Sequence, residues 1–216
     1  MRPGDSVFVD LTGDGKVDAN DVHAIGYSDI PEYTGSINAT LNWKGLDFSM
    51  TWVGATHVNR QLSSFYTPAF GTGNQSMLNK WVYDNSWTEN NPSASLPRIS
   101  LEKSAREHNG SLSDPWMVDA SYIRLKNLQF GYTLPQPIVS KAKLQNVRVY
   151  ISAENLWCWS PLYKHTRDLD VTNIYGSDPD LTDADMSSGL NGNRGSGDGN
   201  SYPQMKSVSL GLSVTF

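Results

Sequence analysis

Five segments of this chain alternate apolar and polar residues with a period of two. Side chains of a β-strand alternate between opposite faces, whereas a helix needs a period near 3.6, so the pattern admits strands with one apolar face and excludes amphipathic helices. Ser36 to Trp43 sets Ile37, Ala39, Leu41 and Trp43 against Ser36, Asn38, Thr40 and Asn42. After a tight Lys44-Gly45 turn, Leu46, Phe48, Met50 and Trp52 alternate with Asp47, Ser49 and Thr51, which is a hairpin signature. Tyr122 to Leu134 carries Ile123 and Leu125 on one parity and Leu128, Phe130 and Tyr132 on the other, so a bulge is expected near Lys126-Asn127. In Asn146 to Trp157, Val147, Val149, Ile151 and Ala153 oppose Arg148, Tyr150, Ser152 and Glu154. The last segment opposes Val208, Leu210, Leu212, Val214 and Phe216 to Ser207, Ser209, Gly211, Ser213 and Thr215.

The connections sort by length. Lys44-Gly45 is short and Thr133 to Gln145 is a moderate, Pro-containing turn, whereas residues 55–120 and 158–202 form long loops rich in Asn, Ser, Pro, Gly and Asp. Soluble sandwiches have no reason to sort loops this way. Outer-membrane barrels do, with short turns in the periplasm and long loops outside. On that reading the first, third and fifth strands run inward, the second and fourth run outward, and Phe216 ends in the periplasm.

Composition agrees with an all-β fold of antiparallel strands. Charged residues are 18% of the chain, and it holds 7 Trp, 10 Tyr and 18 Gly. A net charge of −5 without a Lys/Arg run leaves no footprint for nucleic acid. No run of 18 apolar residues exists, which excludes a transmembrane helix and says nothing against barrel strands. Met1 to Asp5 opens no signal peptide, so an exported protein would have a different native start. The single cysteine, Cys158, excludes an internal disulfide and reads as a buried or lipid-facing thiol.

The two faces separate a barrel from a sandwich. The polar faces of the first, second and fifth segments carry mostly Ser, Thr, Asn and Gly, which suits a crowded, hydrated lumen. Their apolar faces carry no charge, as lipid contact demands. Trp43 at the inner end, with Trp52 and Trp157 at outer ends, occupies aromatic-girdle positions. The competing reading is a soluble β-sandwich with an aromatic core.

Several stretches resemble one family in its own order. Asp119 to Pro135 (DASYIRLKNLQFGYTLP), Asn146 to Trp157 (NVRVYISAENLW) and Tyr202 to Phe216 (YPQMKSVSLGLSVTF) are similar to the last strands of SusC/RagA-type TonB-dependent transporters. Trp87 to Pro92 (WTENNP) and Leu96 to Arg98 (LPR) are similar to that family's long loop, and Asp10 to Asp18 (DLTGDGKVD) with Ile25-Gly26 to the segment before it. Asp178-Pro179-Asp180 departs from the Asp-Pro-Glu often seen in the last loop. The resemblance implies the C-terminal part of a plugged barrel of about 22 strands in the outer membrane of a Gram-negative bacterium. It also implies import of glycans or peptides with a SusD-like surface lipoprotein, energised by the TonB system through regions this chain lacks. A terminal aromatic such as Phe216 is, by the same resemblance, read by the barrel-assembly machinery.

The most specific local motif runs from Asp10 to Asp21. Asp10, Thr12, Asp14, Gly15, Lys16 and Asp18 match positions 1, 3, 5, 6, 7 and 9 of an EF-hand loop, with Lys16 offering its carbonyl. Position 12 is Asp21 rather than Glu, and no clear helix precedes Asp10. Calcium and a solvated acidic turn with Asx hydrogen bonds are both open readings. His23, His57, His108 and His165 have no metal-ligand spacing, and Asp178, Asp180, Asp183 and Asp185 read as solvated loop residues rather than a glycosidase pair. With no nucleophile elbow, P-loop or dinucleotide fingerprint, an enzyme is not expected. The chain divides into an acidic, calcium-loop-like segment at 1–35 and, at 36–216, the last five barrel strands with two long extracellular loops and short periplasmic turns. The alternative function is a calcium-binding extracellular β module for adhesion or carbohydrate binding.

Overall fold

A computed structural model describes residues 1–62, 78–165 and 204–216. Its strands, in chain order, are β1 (Tyr33–Trp43), β2 (Leu46–Thr56), β3 (Asn59–Gln61), β4 (Met117–Asp119), β5 (Tyr122–Thr133), β6 (Asn146–Trp159) and β7 (Ser207–Thr215). Short helices are α1 (Lys80–Asn85), α2 (Lys103–Asn109) and α3 (Gln136–Val139). The chain divides into two compact units. One holds the described residues of 1–30, 57–120 and 161–165; the other holds 31–56, 121–160 and 204–216.

The second unit is one antiparallel sheet in the order β1-β2-β5-β6-β7, a meander whose neighbours are consecutive among the five long strands. All five alternating segments are strands, and the antiparallel order places both short turns at one end of the sheet. Lys44 (φ 46°) and Gly45 (φ 86°) both adopt left-handed backbone in the β1–β2 turn. A two-residue hairpin of this kind needs positive φ at both positions because its twist matches that of the strands. Gly45 has a further reason: a Cβ there would sit 2.7 Å from the Thr133 carbonyl oxygen. The β5–β6 turn holds α3, entered through Pro135 and closed by Lys143 in left-handed backbone.

The expected bulge is present. Thr51 pairs with Asn127 and Trp52 with Leu125, so Lys126 is the extra residue. It brings Leu125 into line with Leu128 despite their different parity. A second irregularity on β6, with Asn155 at φ 50°, keeps Trp157 opposite Leu125. Asn tolerates left-handed backbone better than most residues, and nothing in the alternation of β6 marks it.

The first unit carries its own core, built from Val58, Leu62, Val82, Leu96, Trp116, Val118 and Leu162. The described part of the connection read from sequence as a long polar loop thus folds on itself. β3 pairs antiparallel with β4, and Ser86 bridges Leu96. Asn79 caps α1 by accepting the Trp81 N–H (2.8 Å). Buried Asn109 ties the unit together: its Oδ1 accepts from Ser6 N (2.9 Å), its Nδ2 donates to Asp5 and to the Arg98 carbonyl (3.2 Å each), and its carbonyl accepts from the Trp116 indole (2.8 Å). Gly4 lies in left-handed backbone against the Trp87 ring, where any side chain would overlap the indole.

Trp116 is 2% exposed, so Trp116→Ala leaves a cavity and orphans the Asn109 carbonyl. The expected cost is about 3–5 kcal/mol, confined to this unit. Hydrogen exchange will show β3 and β4 amides losing protection while β5 and β6 amides keep theirs.

Candidate functional site

The register of the sheet gathers its apolar residues into continuous rows. Leu41, Phe48, Phe130, Ile151 and Leu210 lie directly opposite one another across all five strands. Beside that row run Trp43, Leu46, Tyr132, Val149 and Leu212, and on its other side Ala39, Met50, Leu128, Ala153 and Val208. Ile37, Trp52, Leu125 and Trp157 continue the face toward the end opposite the turns. None of these residues is charged, and all but Ala153, which its larger neighbours bury, are half-exposed or exposed: Leu210 is 79% exposed and Leu41 64%. A soluble protein of this size buries such a surface, because exposed apolar patches of this extent mark an interface with protein or membrane. The dimensions fit a bilayer. The 11 residues of β1 run ~34 Å along the strand, or ~26 Å across a membrane at a barrel tilt of ~40°, against an apolar band ~25 Å tall. Aromatic rings stand at both ends of that band, Trp43 near the turns and the edge-to-face pair Trp52–Trp157 (5.7 Å, 70°) opposite.

The other face is polar and crowded. One row reads Asn42, Asp47, Gly131, Tyr150, Gly211; the next reads Thr40, Ser49, Gln129, Ser152, Ser209. Two of its charges form an ion pair. Arg148 grips Asp47 through two parallel hydrogen bonds (2.8 and 2.5 Å) and lies 4.8 Å over the Tyr150 ring. Arg124, buried near the far end, donates to Gln204 and stacks on Tyr122 at 5.8 Å. Sequence reading placed Asp47, Arg148 and Tyr150 on this face but did not bring them together; their separation in sequence hides a contact that only the strand order creates.

Asp10, Thr12, Asp14, Lys16, Asp18 and Asp21 share one exposed loop of the first unit. Its carboxylates accept from the backbone. Asp10 takes the N–H groups of Gly13 (2.6 Å) and Gly15 (2.8 Å), Asp14 that of Lys16 (2.8 Å), and Asp18 that of Asn20 (2.8 Å). Asp21 takes three, from Leu11 and Thr12 (2.9 Å each) and Asp18 (2.8 Å). Bonds from the Asp18 and Thr12 N–H groups outweigh desolvation and hold the Asp21 carboxyl at about 2. Gly13 and Gly15 are required by their positive φ (75° and 84°), since nothing crowds either position. Among the described residues no three His, Cys, Asp or Glu side chains converge in a metal-holding group.

The four histidines are dispersed. His57 stacks on Tyr27 (4.2 Å, 4°), His108 bonds the Ser6 carbonyl (2.8 Å), and His165 meets Trp81 edge-on, where burial pushes its pKa down. His23 borders an open groove of about 390 Å³ whose apolar lining includes Val7, Phe8, Val9, Val22 and Leu112. Asp178, Asp180, Asp183 and Asp185 lie outside the described residues. A second ion pair was not legible in the sequence: Asp5 with Arg98 (2.5 Å), both largely buried. Burial raises the Asp5 carboxyl, but bonds from Arg98, the Arg2 N–H and Asn109 prevail and hold it at about 2.

No protein-family model matches the chain. Over 215 residues it is 29% identical to TonB-dependent receptor P3 of Formosa agariphila, covering 99% of this chain and 19% of that receptor. Over 216 residues it is 29% identical to TonB-dependent receptor P26 of the same organism, covering 99% and 20%. The chain thus spans about a fifth of the length of the curated relatives it matches. Among solved structures, the RagAB peptide importer in its "closed-closed" state superposes with a TM-score of 0.54 at 21% identity, over 94% of this chain and 20% of that one. The "open-open" state gives 0.54 at 18%, over 93% and 19%. The chain is therefore similar along its whole length to TonB-dependent receptors and shares the fold of the matching part of a RagA-type barrel.

Two expectations follow. Leu128→Lys places a charge midway across the apolar band and will destabilise the membrane-inserted protein by about 2–4 kcal/mol. Gln129→Lys, one residue on but facing Ser49 and Ser152, will change it by under about 1 kcal/mol, as surface substitutions do; reversible unfolding in lipid vesicles compares them. Asp5, with its folded carboxyl at about 2, stabilises the first unit fully above the unfolded value of about 4. That stabilisation fades as pH falls from 4 toward 2. Asp5→Asn will remove this pH dependence, as read by near-UV circular dichroism.

Proposed function

We propose, on the premise of whole-length similarity to TonB-dependent receptors, that this chain forms the last five strands of an outer-membrane transporter barrel that imports glycans or peptides. The uncharged apolar face, continuous over five strands and largely exposed, is the observation that carries the reading. Lipid is the solvent that such a face fits, and a five-strand sheet with edges at β1 and β7 needs further strands before hydrocarbon can tolerate it. The polar face is then lumen wall, and its Asp47–Arg148 pair suits a confined, hydrated interior.

The partners belong to the same proposal. A SusD-like surface lipoprotein closes the outer end, and the apolar groove at Val7, Val9 and Val22 supports a protein contact on the first unit. The TonB system acts through parts of the receptor outside this chain. The barrel-assembly machinery reads the end of β7 and Phe216. The acidic loop takes up calcium, with carboxylates that now hold backbone N–H groups turning to the ion; its residue order at positions 1, 3, 5, 6, 7 and 9 supports this.

Deleting the gene in its source bacterium will abolish growth on one polymeric glycan or on peptides as sole nutrient, and loss of TonB will do the same. Recovery of the protein in the soluble fraction, or unchanged uptake of both substrate classes, contradicts the proposal. For the loop, calorimetry on the receptor will show calcium binding with a Kd on the order of 10⁻⁴–10⁻³ M, lost in Asp14→Ala. Equal heats in the two proteins leave the Asx-turn arrangement alone.

A further inference from the structure

The alternation of β7 fixes which face meets lipid but not where the strand stops along β6. A one-residue slip would turn every side chain over, so the faces forbid it. A two-residue slip would not: Val208, Leu210, Leu212 and Val214 would still face one way, and the small residues between them the other. The apolar surface is nearly indifferent to that slip, so something else must select the pairing in which Ser152 stands opposite Ser209 and Tyr150 opposite Gly211.

Gly211 is the one position on the polar face of β7 without a Cβ; its neighbours on that face are Ser207, Ser209, Ser213 and Thr215. The Tyr150 ring lies across it, and a side chain there would overlap the ring. Gly211 has no positive φ to account for the glycine, and glycine inside a strand costs stability unless something approaches closely. The same device recurs two strands away, on β5. Gly131 lies between Asp47 and Tyr150 in the same row, and a Cβ there would come within 2.5 Å of Asp47 Oδ1 and 2.6 Å of Arg148 Nη2. Arg148, gripping Asp47 across that slot, also lies 4.8 Å from the centre of the Tyr150 ring.

From this geometry we infer that Tyr150 seated on Gly211, beside the Arg148–Asp47 pair seated on Gly131, is the lock that selects the register of the C-terminal strand. In a slipped pairing the ring meets Ser209 or Ser213, whose Cβ and hydroxyl fill the slot. Glycines covered by cross-strand aromatic rings are a recognised way to pin register in curved sheets. Here the lock acts on the strand whose apolar pattern repeats most uniformly. The inference concerns pairing within the sheet and goes beyond the transport reading.

The test reads register directly. In the receptor with Cys158→Ser, Ser152→Cys is combined with either Ser209→Cys, opposite it in the native pairing, or Ser207→Cys, opposite it after a two-residue slip. With Tyr150 and Gly211 intact, only the Ser209→Cys disulfide forms. Gly211→Ser will give the Ser207→Cys disulfide or a several-fold loss of inserted protein, and adding Tyr150→Ala will restore insertion with both disulfides present. Tyr150→Phe keeps the ring and the native pair. Wild-type yield with the native disulfide alone in Gly211→Ser overturns the lock, as does an insertion defect that Tyr150→Ala fails to relieve. Absence of the unsubstituted receptor from the outer membrane would count against the transport reading instead, because the disulfides report on the sheet wherever it resides.

Discussion

Hydrocarbon offers no hydrogen bonds, and every feature of the five-strand sheet answers to that constraint. Backbone N–H and C=O groups must be paired between strands, and side chains that meet lipid must carry no charge. The meander β1-β2-β5-β6-β7 satisfies the backbone by pairing each long strand with the next one in the chain. The period-two alternation satisfies the lipid face with rows such as Leu41, Phe48, Phe130, Ile151 and Leu210. Charge is confined to the opposite face, where Asp47 meets Arg148. A soluble sheet would spend its apolar face on a core. Here the packed core lies elsewhere, around Leu62, Trp116 and Leu162 of the other unit.

The strands were legible because alternation is a local signal that reports faces directly. The bulge was legible for the same reason: Leu125 and Leu128 are both apolar, and only an extra residue at Lys126 lets both face the same way. The fold of the described residues of 57–120 was not. Its elements are three to seven residues long, too short to show a period, and its stability comes from contacts between distant positions such as Asn109 with Ser6 and Asp5. High Asn, Ser and Pro content reads as loop, while the few apolar residues that form its core are spaced irregularly. Val58, Leu62, Val82, Leu96 and Trp116 meet only when the chain folds.

The candidate site divides along the same line. The acidic motif was visible as a spacing, and the structure adds what spacing omits: its carboxylates are engaged by backbone N–H groups, three of them on Asp21. The lumen-side cluster was invisible as a cluster. Asp47 and Arg148 are 101 residues apart and meet across an intervening strand. The glycines that make room for these side chains, Gly131 and Gly211, look in sequence like ordinary small residues of a polar face. Strand order, which the alternation does not encode, turns them into slots.

The account stands on the claim that one face of this sheet touches lipid and the other water. Nitroxide labels placed singly along β1 and β7 of the receptor in lipid vesicles measure this directly through collisions with oxygen, which partitions into hydrocarbon, and with a water-soluble nickel chelate. The account predicts oxygen-dominated relaxation at Ile37, Ala39, Leu41, Val208, Leu210 and Leu212, and chelate-dominated relaxation at Asn38, Thr40, Ser209 and Ser213. Equal exposure of both sets to the chelate, or loss of the alternation, would contradict it.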